Sequence, residues 1–260
     1  MNPEGCEYSQ FCLRCRAWRG TLDVTLRQDY KAGEKLFVDF AGDTVPVSDP
    51  VTGAAVPAHL FVATLGASNY TYAEAVLAQN LPVWITLHVC TFGFMGCVPA
   101  IVVPDNTRTA VTRPCRYEPD LNPTYQDMAT HYGTAVIHAR VKKPKDKAKV
   151  KSAVLIAQRC IIAALRNHAF FSLTELNTAI REKLMEYNGR ELQKLKVSRK
   201  HLFETIDRPA MKALPLRRYE YAEWARHKVN IDYHVEIGRH YYSVPYQLRQ
   251  QTVDARVTAS

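Results

Sequence analysis

No stretch of this 260-residue chain reaches the roughly 20 consecutive apolar residues that a membrane span requires. The longest apolar segment, 154–165, is interrupted by Gln158 and Arg159. A basic-then-apolar secretion signal is also lacking at the N-terminus, so a soluble protein of the cell interior is expected. The cysteines (6, 12, 15, 90, 97, 115 and 160) are odd in number and scattered, which excludes a disulfide framework as the organising device. Cys12 and Cys15 have CxxC spacing but no second pair at zinc-finger distance, and read as ordinary thiols. There is no internal repeat. What the chain does have is 47% hydrophobic residues over a length that buries a full core in one or two domains.

Positive charge is in excess, at a formal +9, which favours a polyanionic partner. Much of it is concentrated in residues 140–151, where Arg140, Lys142, Lys143, Lys145, Lys147, Lys149 and Lys151 face a single acid, Asp146. A charge run is commonly just a solvated face. This one opens a helix expected over Lys145–Asn167, so contact with phosphates is the expected use. Arg190, Lys194, Lys196, Arg199 and Lys200 form a second basic group that could track a nucleic-acid backbone.

Hydrophobic patterning divides the chain into a lead-in segment (1–34), an α/β core (35–187), a basic linker (188–218) and a small β-domain (219–260). Leu36, Phe37, Val38 and Phe40 describe a central strand buried on both sides. Val45–Val47 and His59–Leu65 flank turn signals at 48–53 and read as a hairpin, with Tyr70–Val76 as the next strand. Leu81–Phe94 is a crossover helix with Pro82 in its first turn. Val98–Val103 is a short buried strand ending at Pro104, Pro123–Tyr132 a helix and Thr134–His138 a strand. Ser172 and Glu175 have capping-box spacing ahead of a further helix. Strict alternation over Val229–Ile237 predicts a strand, and His240–Pro245 returns as the second arm of its hairpin. Tyr241 and Tyr242 are expected in the core of that domain, with a base-stacking platform as the alternative, and Trp84 and Phe92 in the core of the larger one.

Three strands, a helix, a strand, helices with a fifth strand and a long helix is the element order of ribonuclease-H-like folds. Asp39 lies within the first strand, in Leu-Phe-Val-Asp-Phe-Ala-Gly (36–42), where an ionised carboxylate is costly without a partner. Asp105 follows the fourth, in Val-Val-Pro-Asp-Asn-Thr-Arg-Thr-Ala-Val (102–111). Two such acids, with a third on the last helix, would hold two divalent ions against the attacking and leaving oxygens of a phosphodiester. Carboxylate ligands suit oxygen-loving ions such as Mg2+ or Mn2+.

Several long words are more specific than this order. The two acid-bearing segments, Leu-Phe-Val-Ala-Thr-Leu-Gly-Ala-Ser-Asn-Tyr-Thr-Tyr-Ala-Glu-Ala (60–75), Lys-Pro-Lys-Asp-Lys-Ala-Lys-Val (143–150), Phe-Phe-Ser-Leu-Thr-Glu-Leu-Asn (170–177) and His-Tyr-Tyr-Ser-Val-Pro-Tyr (240–246) resemble the IstA-type insertion-sequence transposases of the retroviral-integrase superfamily. The resemblance runs from about residue 7 to the C-terminus. It implies an integrase-type catalytic core with a mixed five-stranded sheet flanked by helices, followed by a small β-barrel-like domain. It also implies D-D-E recombinase chemistry, Asp39 and Asp105 as metal ligands, and a homo-oligomer working on transposon ends and target DNA. An AAA+ helper ATPase and a bacterial cytoplasmic, nucleoid-associated location follow from the same resemblance. Asn106 and Arg108, beside Asp105, are candidate DNA contacts together with the 140–149 cations.

The third family position follows Asp-Lys-Ala-Lys-Val, where glutamate is expected and this chain has Lys151. Two milder departures from the family, Gly-Cys-Val-Pro at 96–99 where Gly-Gly-Val-Pro is expected and His138-Ala-Arg where Pro-Ala-Arg is expected, remove no ligand. Lysine for glutamate reverses the charge beside the ions, so weakened metal binding and little or no strand transfer are expected. Asp146, Glu118, Asp120 and Asp127 are the nearest acids that could compensate. The competing readings are a non-enzymatic DNA-binding or assembly module derived from a transposase and, more remotely, a divergent nuclease.

Overall fold

The computed structural model describes residues 7–21, 30–104, 111–113, 120–137, 155–156 and 159–258. Helix α1 (Tyr8–Thr21) precedes three antiparallel strands, β1 (Lys35–Ser48), β2 (Ala55–Leu65) and β3 (Thr71–Val76). Helix α2 (Leu81–Met95), strands β4 (Cys97–Val98), β5 (Ile101–Pro104), β6 (Val111–Arg113) and β7 (Asp120–Leu121), helix α3 (Pro123–Tyr132) and strand β8 (Ala135–Val136) follow. Residues 159–165 form α4, and α5 spans Leu173–Gly189. The main sheet has the order β3-β2-β1-β5-β8, with β5 and β8 parallel to β1. No helix among the described residues is long and apolar enough to cross a membrane.

The sheet is covered on both faces, which explains why β1 reads as a continuous apolar run rather than an alternating one. Leu36 and Val38 pack with Trp84, Phe92, Tyr125 and Met128 of α2 and α3. Phe37 and Ala41 point the other way, into a second cluster with Ile161 and Leu165 of α4 and Leu176, Ile180 and Leu184 of α5. Trp84 and Phe92 are fully buried, as expected, and burial of such a side chain stabilises by about 1.5–3 kcal/mol.

Local signals set the element ends. Asn80 caps α2 through Val83 N–H (3.1 Å), and Gly96 ends it at φ +69°. Asn122 and Gly133 do the same for α3. Ser172 Oγ accepts from Glu175 N–H, while the Glu175 carboxylate accepts from Phe171 N–H, one residue outside the usual box. Strands expected separately at Lys35–Phe40 and Val45–Val47 are one strand, bent where the β1–β2 register shifts between Phe40 and Thr44. Its hairpin turn is closed by Asp49, whose carboxylate is held below its usual range by the N–H groups of Thr52 and Val51.

Two asparagines of α5 finish the sheet edge. Asn177 accepts from Ala75 N–H (2.8 Å) and donates to Ala75 C=O (3.0 Å). Eleven residues on, about three turns and hence on the same helix face, Asn188 makes the same pair of bonds to Thr71. Each amide imitates a strand neighbour, so the outer edge of β3 offers fewer open backbone groups to another chain.

His88 lies under the other face, one turn beyond Trp84 on α2. Its Nδ1 meets the Trp84 carbonyl at 2.7 Å and its Nε2 meets the Tyr125 hydroxyl at 3.0 Å. Burial pushes the imidazole down to about 4, so the ring is neutral, with Nδ1–H donating and Nε2 accepting. The unfolded chain takes up a proton below pH 6.5 that the folded chain refuses until about pH 4. Stability is therefore fully present above pH 6.5 and lost as pH falls through that window, by on the order of 3 kcal/mol. Urea unfolding between pH 7.5 and 4.5 should show this slope, and His88→Gln should flatten it; an unchanged slope in the variant would rule out the assignment.

The basic segment 188–218, expected as a linker, carries α6 (Arg199–Leu202), a π-turn at Phe203–Asp207, α7 (Arg208–Ala210) and β9 (Lys212–Ala213), which pairs with β4. It packs on the core. Phe203 stacks on Tyr70 at 4.3 Å, and Asp207, 1% exposed, accepts from Gly33 N–H (2.7 Å) and Ser68 N–H (3.0 Å). Its polar composition concealed this, because the anchoring contacts are few and their partners are distant in sequence.

The C-terminal region differs from expectation. Strands β10 (Ala222–Lys228) and β13 (Thr252–Thr258) pair with each other, and β11 (His234–Ile237) pairs with β12 (His240–Ser243). These are two two-stranded sheets rather than a closed barrel. The strand expected over Val229–Ile237 begins only at His234. Residues 230–233 turn, with Tyr233 at φ +65° and its N–H on the Asn230 carbonyl. Tyr241 and Tyr242 are 63% and 53% exposed, contrary to the expected core position, because the small hairpin is not enclosed by a second layer on both faces.

Candidate active site

Asp39 stands in β1 directly opposite Val62 of β2, immediately before the bend at Phe40–Thr44. Strand alternation puts it on the face of Phe37 and Ala41, the face covered by α4 and α5. It is half-buried, and its Oδ1 accepts from the Phe40 N–H at 2.9 Å. On the other side of β1, Val38 pairs with Pro104, the last residue of β5. The β1 end that carries Asp39 is therefore held beside the C-terminal end of β5.

Of the expected site, Asp39 alone falls within the described residues. Asp105, Asn106, Arg108, Arg140, Lys142, Lys143, Lys145, Lys147, Lys149 and Lys151 lie outside them. Asp105 follows Pro104 directly in sequence, and Lys151 lies four residues before the first described helical position on the way to α4. No group of three His, Cys, Asp or Glu side chains able to hold a metal occurs among the described residues. The donor set proposed from sequence is two carboxylates and an ammonium, and a protonated lysine cannot ligate an ion.

One candidate for compensation is already engaged. The Asp127 carboxylate accepts from the Tyr219 hydroxyl (2.8 Å) and from Arg256 Nε (3.1 Å). Burial alone would raise its pKa, but hydrogen bonds from Tyr219, Arg256 and Trp224 outweigh it and hold the acid below its usual range. This cluster ties β13 to α3, and sequence reasoning missed it. Arg199, a candidate for following a DNA backbone, is likewise occupied: its guanidinium lies 3.9 Å from the Tyr187 ring and donates to the Tyr187 carbonyl. Cys97, where glycine was expected, is buried, and burial pushes its thiol up to about 11, so it is a packing residue rather than a nucleophile.

Residues 214–260 match the family described as Mu transposase, C-terminal domain. A Burkholderia multivorans protein that carries the name of a transposase for insertion sequence IS408 is 48% identical over 251 residues, covering 96% of this chain and 48% of that protein. A Pseudomonas fluorescens protein named likewise for insertion sequence IS1162 is 46% identical over 252 residues, covering 97% of this chain and 45% of that protein. The fold is similar to that of a chain in the simian T-cell lymphotropic virus intasome in complex with PP2A regulatory subunit B56 gamma. The TM-score is 0.53 at 12% identity, covering 78% of this chain and 65% of that one. The architecture is thus a mixed five-stranded sheet flanked by helices, similar in fold to that intasome chain, followed by a small strand-rich domain. By sequence this chain is similar to proteins named as insertion-sequence transposases, and it spans about half the length of the curated relatives it matches.

Proposed function

We propose that this chain is the DNA-cutting and strand-joining core of an IstA-type transposase whose metal site is weakened by Lys151. The observation that carries the reading is the position of Asp39, on β1 beside the end of β5 and on the face covered by α4. Asp105 is tethered directly to that β5 end. In the proposal Asp39 and Asp105 hold a Mg2+ or Mn2+ ion, and residue 151 is the third position. Bound ions of this kind supply charge stabilisation for the attacking and leaving phosphodiester oxygens.

The chain's own residues then divide the work. Asn106, Arg108 and the cations at 140, 142, 143, 145, 147 and 149 bind and position the DNA backbone. Transposon ends and target DNA are the proposed ligands, with further copies of the chain and an AAA+ ATPase as proposed partners. The second reading, a DNA-binding or assembly module without catalysis, is favoured by Lys151 itself.

Manganese titration calorimetry of the intact chain tests the site. At most one weakly held ion is expected, and Asp39→Asn should abolish it. Two ordered ions would overturn the weakened-site proposal. Binding that is indifferent to Asp39→Asn would remove Asp39 from the site altogether.

A further inference from the structure

Strands β11 and β12 form a two-stranded ribbon closed by a two-residue turn, since Ile237 pairs with His240. Gly238 and Arg239 occupy that turn at φ +58° and +69°. Positive φ at both positions is the type I′ geometry, which matches the twist of the flanking strands and favours glycine at its second residue. This chain has arginine there, whose Cβ is crowded in the left-handed region. A residue held against its backbone preference marks a position chosen for its side chain. Arg239 and both its neighbours are exposed, and a Cβ added to Gly238 would meet nothing within 4 Å. The Arg239 guanidinium has no ion pair among the described residues, whereas Arg226 of β10 and Arg256 of β13 are matched by Asp254 and Asp127. The faces of the ribbon are less free than its tip. Val235, Ile237 and Tyr242 line a groove shared with β13. The opposite face carries Glu236, which accepts from the Tyr241 hydroxyl at 3.5 Å and whose charge would repel a phosphate.

Resting on the DNA-joining function proposed above, we propose that Arg239 reads DNA shape. The ribbon approaches tip first and places the Arg239 guanidinium in the minor groove, which favours narrow, A·T-rich stretches of the DNA that the chain binds. A minor groove about 6 Å wide cannot take two strands about 4.8 Å apart with their side chains, yet it admits one extended guanidinium. Narrow A·T grooves concentrate negative potential, and the guanine N2 amino group obstructs the floor of G·C grooves. Arginine suits the position better than lysine because its guanidinium is more weakly hydrated and gives up less on leaving water. Arg239 is thus a specificity-determining residue in the C-terminal domain, separate from positions 39, 105 and 151.

Fluorescence anisotropy of the intact chain, without divalent ions, on three duplexes of equal length tests the contact. One duplex has a central A·T run, the second replaces it with G·C and the third with inosine·cytosine, which keeps the major-groove edge of G·C but lacks the minor-groove amino group. The A·T and inosine·cytosine duplexes should bind about tenfold more tightly than the G·C duplex, within the worth of one read base pair. Arg239→Ala should bring both down to the G·C level while changing G·C affinity by no more than about twofold. Arg239→Gly supplies the residue that the turn prefers, so it should lose the preference without lowering the thermal unfolding midpoint. A parent chain that groups inosine·cytosine with G·C reads the major groove, and the proposal is overturned. Equal binding of all three duplexes, or a preference that survives Arg239→Ala, overturns it as well; in each of these cases DNA is still bound and the proposed function stands. Failure to bind any duplex would refute the DNA-joining function itself and this contact with it.

Discussion

Lys151→Glu is expected to raise metal-dependent strand transfer by about a thousandfold. A unit charge pair about 4 Å apart is worth about 4 kcal/mol at an effective dielectric near 20, and each 1.4 kcal/mol is a factor of about ten in rate. At the proposed site, reversing the charge would remove an ammonium that repels the ions and supply an oxygen donor, so that figure counts only the electrostatic part. Two readouts on the same protein separate the causes: manganese affinity by calorimetry, and joining of a labelled oligonucleotide end to target DNA. Unchanged affinity would mean that residue 151 does not border the ions, and the proposed site would fail. Tighter metal with DNA bound but no joining would place the limiting defect elsewhere than residue 151.

Asp207→Ala is expected to cost about 2–5 kcal/mol of folding stability. Its two carboxylate oxygens serve two different backbone donors, Gly33 N–H and Ser68 N–H. Removing them orphans both donors in a buried setting, at about 1–3 kcal/mol each. Asp207→Asn offers a single acceptor oxygen and turns an amide N–H toward the second donor, so it should recover no more than half. Gly33→Ala tests the same joint from the other side. Gly33 adopts φ +66°, and a Cβ there would stand 2.8 Å from the Ala210 carbonyl carbon. Urea unfolding decides the matter; a loss below about 0.5 kcal/mol for Asp207→Ala would show that the 199–213 segment is not held by this contact.

Where the sequence was legible, the signal was local. Helices α2, α3 and α5 begin at Asn80, Asn122 and Ser172, side chains that accept from the backbone within three residues. The apolar run of β1 announced its central position for the same reason, since burial on both sides leaves no polar face to write. Strands β10 and β13 went unread because Glu223, Trp224, Arg226, Asp254 and Arg256 carry much polar and charged surface, and their positions depend on each other and on α3 rather than on a period of their own.

Local chemistry determined the order of the main sheet strands and their helices from β1 to α5 and the acids at positions 39 and 105, and the family resemblance added position 151 and the class of reaction to be tested. Tertiary structure decided which face Asp39 shares, that Asp127 is committed to Tyr219 and Arg256, and that a polar segment is anchored through Asp207. The physical reason is separation along the chain. A buried polar group must be satisfied by whatever the fold brings to it, and Asp207 finds its donors 174 and 139 residues away, beyond the reach of any periodicity.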